Sequence, residues 1–503
     1  MNKTRNWVTI LSWLILTLLI GTEAVLLFQV WKLGMLPDKF LAILLGLTVL
    51  ATGIAVWLLF GRVKKQNTAA KRISGFIFSA VVTAGCLFGC FAVHKLNQTI
   101  SSITASNITS TVVDIYVQSD DAAETLGDCE EYRFAVADSG DVQALESALD
   151  AIGNALNAQI TPQHYENIFA MITALYAGDV DAIIMEQAYA GILDEADGFG
   201  DFFSRTRLLY EHIIREEIVP TEPAVEETVP VEDITTTPFL LYISGSDSRQ
   251  YLLADSGSDV NILAAVNPET KQILLVNTPR DYFVANPAGD GAMDKLSHCG
   301  LSGIENSVEA IAQLYGHEID YYAKINFAGF ETLINAIGGV TIHSDFAFTV
   351  AKYYEIRQGE NHLNGAEALA YVRERQAVAG GDNARGKHQM KIISAIIDQI
   401  SAGKLLTNYT QILDSLDGMF AITIPPDDLA KLVKMQLSDM ATWDVHSYAV
   451  TGSGGKGKPW AQNGLYAYVM YPHEETVEFA ADLIGRVLTG EILTQDDLVM
   501  ATE

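Results

Sequence analysis

The chain has 503 residues, and its 62 acidic residues outnumber its 32 basic residues, which gives a formal net charge of −30. Residues 1–95 hold 10 of the basic and 2 of the acidic residues, so the remainder carries 22 basic and 60 acidic residues, a net charge of −38. A surface this acidic repels phosphates and excludes nonspecific binding to nucleic acid. The length suffices for two or three domains.

Three apolar runs near the N-terminus predict membrane-spanning helices. They cover residues 7–30, 40–60 and 73–93, and each is long enough to cross a bilayer. Three such runs exclude a single cleaved signal peptide. We therefore expect residues 1–95 to form a three-helix membrane anchor.

Basic residues beside these runs predict the orientation of the anchor. Those before the first run and between the second and third runs are Lys3, Arg5, Arg62, Lys64, Lys65, Lys71 and Arg72. Because loops rich in Lys and Arg stay in the cytoplasm, the N-terminus is expected inside and everything after the third run outside. The sequence thus predicts a multi-pass cell-membrane protein with extracellular C-terminal domains.

Residues 96–215, which follow the anchor, predict an accessory α/β domain. Residues 111–117 are typical of a strand, 141–157 of a helix, and 177–185 of a turn into a buried strand. The pattern resembles one lobe of the periplasmic solute-binding fold, but a second lobe is missing, which favours a spacer or partner-docking domain. Residues 216–238 carry seven acidic residues, four prolines and no basic residue, so we expect an extended linker.

The next predicted domain, residues 239–403, begins with strands that are bordered by polar residues. The strands are predicted at residues 239–244, 260–266 and 272–276. Asp247, Asp259 and Arg280 lie at their ends, where open α/β sheets bind ligands. Two carboxylates from neighbouring strands suit a hard cation such as Mg²⁺ that bridges to phosphate oxygens. Asp is also common in turns, so a purely structural role for both aspartates is the alternative.

A predicted amphipathic helix continues its buried face with polar residues. Its apolar stripe consists of Ile393, Ile396, Ile397 and Ile400. Steps of four residues back from Ile393 reach Gln389 and then Arg385. The helix is expected to begin near Asp382 or Asn383, either of which can cap it.

Two further arginines precede this helix. Arg373 and Arg375 lie in what reads as an extended segment, where they would share a face. Three arginines and a glutamine near a helix N-terminus describe an oxyanion site, with phosphate as the expected ligand. The alternative is a solvated, charged loop before an ordinary amphipathic helix.

Short motifs across this domain resemble the LytR-CpsA-Psr family in order and spacing. They are residues 244–249 (SGSDSR), 258–261 (SDVN), 278–281 (TPRD), 321–322 (YY), 326–327 (NF), 337–340 (IGGV), 363–365 (LNG), 368–375 (ALAYVRER) and 381–382 (GD), with Arg385 and Gln389. The resemblance covers about residues 239–403 and extends to the membrane-anchored, outward-facing arrangement. It implies an α/β/α sandwich with a mixed central sheet.

The resemblance also implies a function. It implies a phosphotransferase of Gram-positive envelopes that moves an anionic glycopolymer, such as teichoic acid or capsule, from an undecaprenyl pyrophosphate carrier to peptidoglycan. Rival interpretations are a prenyl pyrophosphate hydrolase and an inactive envelope sensor or scaffold.

Site residues follow from the same resemblance. Asp247 and Asp259 would hold Mg²⁺, with Mn²⁺ as the alternative. The residues implied to hold the pyrophosphate are Arg280, Arg373, Arg375, Arg385 and Gln389, and Arg249 is a weaker candidate. Lys295 is either a substrate contact or a surface lysine. One position departs from the family pattern, because Gly257 stands where the family usually has an arginine that would face the phosphates.

The last segment, residues 404–503, is expected to flank the catalytic domain. Its predicted elements are a helix at residues 429–435, strands at 445–450 and 466–471, a flexible stretch at 452–458 and a helix at 474–488.

Overall fold

The computed structural model of the chain describes nine stretches of residues. They are 2–61, 69–104, 108–139, 142–193, 196–217, 233–246, 256–374, 381–401 and 418–500. Three predicted site residues, Asp247, Arg249 and Arg375, lie outside these stretches, as does most of the predicted linker.

Three N-terminal helices are long and apolar enough to cross a membrane. They are α1 (Asn2–Leu33), α2 (Asp38–Phe60) and α3 (Ala69–Thr104). They pack on each other, and the Thr52 hydroxyl of α2 donates a 2.5 Å hydrogen bond to the Glu23 carboxylate of α1. The third helix continues beyond the predicted end of the anchor, to Thr104.

The accessory domain is a five-stranded sheet with helices on both faces. Its elements are β1 (Ile108–Gln118), β2 (Phe134–Ala137), α4 (Val142–Leu156), β3 (Gln163–Tyr165), α5 (Ile168–Ala177), β4 (Ala182–Glu186), α6 (Ala190–Leu193), α7 (Phe202–Arg205) and β5 (Thr206–Glu217). The strand order is β3-β2-β4-β1-β5. Alternate residues of β1 face opposite cores, so α4 packs with Val113 and Ile115 while α5 packs with Tyr116.

A buried carboxylate lies in the middle of this sheet. Asp114 is fully buried on β1, and its Oδ2 accepts hydrogen bonds from the Tyr116 hydroxyl at 3.0 Å and the Gln187 amide at 3.3 Å. Burial raises the pKa of Asp114 to about 6, and Glu211 on β5, opposite it, adds to the rise. The folded state therefore holds this proton more tightly than the unfolded chain does.

This carboxylate predicts a pH dependence of stability. Because the ordinary pKa is 3.8, the free energy of unfolding should fall between about pH 4 and pH 6 and then stay level. Asp114→Asn should abolish that fall and raise the stability of the domain at pH 8 by about 1–3 kcal/mol. Hydrogen exchange of the β1 and β4 amides measures the stability of the domain at each pH. Substitution of the exposed Asp120, Asp120→Asn, is the matched control. An unchanged pH dependence in Asp114→Asn would contradict the assignment.

The remaining elements form the second α/β unit. In chain order they are β6 (Phe239–Ser246), β7 (Ser258–Asn267), β8 (Gln272–Asn277), β9 (Phe283–Asn286), β10 (Ala292–Lys295), α8 (Leu296–Cys299), α9 (Ile304–Tyr315), β11 (Tyr321–Asn326), α10 (Phe327–Ala336), β12 (Val340–Ser344), β13 (Phe348–Val350), β14 (Tyr354–Ile356), β15 (Gly359–Leu363), α11 (Gly365–Arg373), α12 (Gly381–Ser401), β16 (Phe420–Ile422), α13 (Pro426–Asp439), β17 (Asp444–Ala449), β18 (Gly452–Gly457), β19 (Ala467–Pro472) and α14 (Glu474–Leu488).

Its central sheet has six strands in the order β16-β11-β6-β7-β8-β17. The β11–β6 and β8–β17 pairs are parallel and the other pairs antiparallel, so the sheet is mixed, as predicted. Helices α9 and α14 pack on one face against Tyr242 and Leu274, and α12 packs on the other against Ile262 and Leu275. The predicted α/β/α sandwich is therefore confirmed.

The segment after residue 403 completes this sheet as well as flanking it. Strands β16 and β17 from that segment are its two edge strands. The predicted flexibility at residues 452–458 is wrong for 452–457, which form β18 and pair with β19. The glycines there fit because rings of the partner strand lie over them, as Tyr468 does over Gly454.

Candidate functional site

Two of the predicted site residues meet at one edge of the central sheet. Asp259 is the second residue of β7, and Arg280 follows the end of β8. Because β7 runs antiparallel to β6 and β8, its first residues lie at the same edge as the last residues of those strands. The Arg280 Nη1 atom is 2.6 Å from the Asp259 Oδ1 atom, a short charge-assisted hydrogen bond.

A second ion pair adjoins the first. The Asp281 Oδ2 atom is 3.8 Å from the Arg280 Nε atom, and its Oδ1 atom is 3.3 Å from the Lys295 Nζ atom. Lys295 is only 1 % exposed, so the alternative of a surface lysine is wrong, and the substrate contact stays a prediction. Sequence reasoning missed Asp281 as a site residue, although it directly follows Arg280. A buried lysine needs a charged partner, and Asp281 supplies it.

Helix α12 brings Arg385 and Gln389 to the same edge of the sheet. Both side chains are buried, at 4 % and 6 % exposure. Gly386 lies against the side-chain amide of Asn277, the last residue of β8, and a Cβ atom at position 386 would collide with it. Only glycine permits this close approach of α12 to β8. The approach places Arg385 near the segment that connects β8 to Arg280.

Aromatic stacking fixes the start of α12 against α11. The His388 ring stacks on Tyr371 of α11, with ring centroids 4.1 Å apart, and on Phe348 at 5.7 Å. His388 Nδ1 donates to the Tyr371 carbonyl oxygen at 3.2 Å. Burial lowers the pKa of His388, which keeps the ring neutral at physiological pH. Arg385 and Gln389 are thereby held on a rigid helix turn.

Arg373 lies at the rim of the site. It is the last residue of α11, so the predicted extended conformation is wrong there. Its guanidinium carbon is 4.5 Å from the centroid of the Phe327 ring, a cation–π contact, and the side chain is exposed. Asp382 and Asn383 lie inside α12, which corrects the prediction that either residue precedes the helix as its cap.

An apolar cavity of about 380 Å³ opens beside these residues. It lies on the α12 face of the sheet and is enclosed by side chains of β6, β7, β11, β16 and helices α10, α11, α12 and α13. Val260, next to Asp259, and Gln389 line it together with Phe327, the residue under Arg373. The cavity therefore reaches the edge of the sheet at which Asp259 and Arg280 lie.

The membrane anchor contributes to the same cavity. Ile103, one residue before the end of α3, is among the residues that line it. No local signal in the sequence predicts this contact, because the apolar run that predicts the third membrane helix ends ten residues earlier.

Metal ligation by Asp259 remains a prediction. Within the described stretches, no group of three or more His, Cys, Asp or Glu residues could hold a metal ion. Asp247 lies outside them. Ser246, the residue before Asp247, pairs with Ser258, the residue before Asp259.

The departure at Gly257 has a measurable consequence. Gly257 lies outside the positive-φ region, but a Cβ atom there would be 3.3 Å from the Ser297 carbonyl oxygen. Gly257→Arg should leave affinity for prenyl pyrophosphate unchanged or increase it, by up to about 1–3 kcal/mol. Calorimetric titration measures it, and Gly257→Ala isolates the steric cost. Weaker binding in the arginine variant alone would mean that the guanidinium cannot face the phosphates here.

The mixed α/β domain has a charged sheet edge beside an apolar cavity, and it is joined to three helices of membrane-spanning length. These features place the chain in the class of membrane-anchored α/β proteins. Residues 213–482 match the LytR_cpsA_psr family, which is more than half of the chain. The chain therefore belongs to the LytR-CpsA-Psr family, and the predicted resemblance is confirmed. The match is wider than residues 239–403 and includes the part of the C-terminal segment that supplies the edge strands.

Three similar curated proteins share the name polyisoprenyl-teichoic acid–peptidoglycan teichoic acid transferase TagU. The Halalkalibacterium halodurans protein is 31% identical over 248 residues, which are 49% of this chain and 78% of that protein. The Bacillus subtilis protein is 31% identical over 244 residues, 46% of this chain and 72% of that protein. The Enterococcus faecalis protein is 32% identical over 197 residues, which cover 39% of this chain and 64% of that protein.

Solved structures with a similar fold include Bacillus subtilis TagV and TagU. TagV is 25% identical and aligns with 51% of this chain and 99% of its own, with a TM-score of 0.42. TagU is also 25% identical and aligns with 52% of this chain and 100% of its own, with a TM-score of 0.40.

Proposed function

We propose that this protein is a membrane-anchored phosphotransferase that attaches an anionic glycopolymer, of the teichoic acid or capsule type, to peptidoglycan. The donor is the glycopolymer on an undecaprenyl pyrophosphate carrier. The observation that carries the proposal is the Asp259–Arg280 pair at the edge of the sheet that the apolar cavity reaches. A prenyl pyrophosphate has the matching chemistry, a dianionic or trianionic head on an apolar chain.

The arginines supply the charge that phosphoryl transfer needs. Such reactions require neutralisation of phosphate charge and in-line positioning more than covalent participation of the protein. Arg280, oriented by Asp259, and Arg385, buried on α12, would bind the pyrophosphate oxygens with their planar guanidinium groups. Gln389 would donate to the same oxygens from the cavity wall, and Arg373 and Arg375 would bind from the rim.

The donor set at the sheet edge is compatible with Mg²⁺ or Mn²⁺. Asp259 uses Oδ1 to bind Arg280, and a carboxylate has a second oxygen to offer a hard cation. Asp259 and Asp247 would hold the ion, which would stabilise the negative charge of the leaving phosphate. The acceptor is a sugar hydroxyl of peptidoglycan, and one of these two aspartates would accept its proton.

The proposed location follows from the charge bias of the sequence. The N-terminus and the loop between α2 and α3 are basic, so they face the cytoplasm, and the domains after α3 face the cell exterior. There they meet both peptidoglycan and the carrier lipid.

Acceptor-dependent transfer by the purified full chain tests the proposal. A prenyl-pyrophosphate-linked glycan is supplied with peptidoglycan fragments and Mg²⁺, and glycan attachment and prenyl phosphate release are followed together. Equal amounts of both products are expected. Prenyl phosphate release without attachment would replace the proposal with a hydrolase. Absence of both products at every Mg²⁺ concentration would favour a scaffold.

A further inference from the structure

Helix α3 is longer than a membrane crossing requires. Its 36 residues extend about 54 Å, compared with about 30 Å for the hydrocarbon core of a bilayer. In its last turns Thr99, Ile100 and Ile103 are buried, whereas Ser101 and Ser102 are exposed. One face of this extension is therefore covered by protein.

The residues that cover this face belong to the wall of the apolar cavity. Helix α3 contacts β16 and α13, and Ile103 lines the cavity together with Phe420, Ile422 and Leu429 of those elements. Two separate contacts fix α2 beside α13. The Lys39 Nζ atom donates to the Ser438 carbonyl oxygen at 2.7 Å, and the Lys434 Nζ atom is 3.0 Å from the Asp38 carboxylate.

The cavity crosses the sheet from β7, the strand that carries Asp259, to this helix. Val260 on β7 lines it next to Asp259, and Phe420 lines it on the edge strand β16. Three strand spacings separate β7 from β16, about 14 Å in all. A carrier that remains anchored in the membrane while its pyrophosphate binds at Asp259–Arg280 must therefore extend beyond the cavity.

We infer that the final turns of α3 are part of the carrier-lipid site and that Ile103 contacts the prenyl chain where it passes between membrane and cavity. The inference rests on the proposed function, because it takes a prenyl pyrophosphate as the ligand. One apolar face of α3 joins the two regions, since Leu96, Ile100 and Ile103 continue at helical spacing from the apolar run of the anchor to the cavity wall. The site thereby selects long carriers over short ones.

Chain-length selectivity of an Ile103 variant tests the inference. Ile103→Glu places a carboxylate where only a long prenyl chain passes. The KM for a C55 donor should rise at least about tenfold, equivalent to about 1.4 kcal/mol, while the KM for a C10 donor stays within about twofold. Ser101→Glu, which adds the same charge on the exposed side of α3, is the matched control and should change neither KM. A merely structural role of Ile103 would affect both donors equally.

Photo-crosslinking gives a readout that does not depend on turnover. A benzophenone residue in place of Ile103 should crosslink to C55 prenyl phosphate but not to C10 prenyl phosphate, and the same residue in place of Ser101 should crosslink to neither. If the unaltered chain transfers glycan, equal crosslinking at both positions would overturn the inference and leave the proposed function intact. An equal change of both KM values in Ile103→Glu would do the same. Absence of donor binding and transfer in the unaltered chain would overturn the proposed function as well.

Discussion

Asp259→Ala should lower kcat/KM for glycan transfer at least about a hundredfold, which corresponds to about 2.7 kcal/mol of transition-state stabilisation. The substitution removes the carboxylate that orients Arg280 at 2.6 Å and leaves this partly buried guanidinium without that partner. It also removes one of the two proposed Mg²⁺ ligands. The Mg²⁺ concentration needed for half-maximal activity should rise in Asp259→Asn, which keeps the shape of the side chain but not its charge.

The control for Asp259 is an aspartate of the same domain that only forms a surface ion pair. Asp345 is 73% exposed and lies 3.4 Å from Lys391, so Asp345→Ala should leave turnover within error. Circular dichroism and the thermal midpoint establish that each variant is folded. Unchanged activity in both Asp259 variants would rule out the metal and orienting roles together.

Periodicity predicted the part of the site that lies on α12. Ile393 and Ile396 line the cavity, and Gln389, found by a step of four residues back from Ile393, lines it as well. Residues on one face of a helix recur at regular intervals along the chain, so the local sequence pattern identifies the residues that share that face. The strand ends were also predictable, because the apolar runs and the polar residues after them are adjacent in sequence.

The prediction of an extended segment at Arg373 is wrong because the sequence before it contains a local helix signal. Asn364 and Glu367 form a capping box, in which each side chain accepts from the backbone N–H of the other residue. That pattern predicts a helix start three residues before Glu367, and the helix then continues to Arg373. The close spacing of the arginines carries no comparable signal, so it does not support an extended segment.

Other features could not be predicted because they depend on contacts between distant segments. Lys295 pairs with Asp281 through a turn of the chain, and nothing near Lys295 in the sequence indicates burial. Strand β18 is composed largely of glycine and becomes a strand through pairing with β19. Ile103 joins the cavity through packing between the anchor and the catalytic domain.

Arg385→Lys should lower kcat/KM for glycan transfer more than about tenfold, which is at least about 1.4 kcal/mol. Arg385 is 4 % exposed and lies one residue from the close contact between Gly386 and Asn277, so its position leaves little freedom for a different side-chain geometry. Lysine keeps the positive charge but cannot reproduce two parallel hydrogen bonds to phosphate oxygens. The loss should therefore appear although the net charge is unchanged.

Arg373→Lys separates this geometric requirement from simple charge. Arg373 is exposed and its guanidinium lies over the Phe327 ring, a contact worth about 0.5–1 kcal/mol at an exposed site. We therefore expect its replacement to lower kcat/KM only a few-fold. Arg357, an exposed arginine of the same domain, is the matched control, and Arg357→Lys should have no effect. Glycan transfer and donor affinity are measured for Arg385→Lys, Arg373→Lys and Arg357→Lys. Equal small effects in all three would show that the arginines act only as diffuse positive charge.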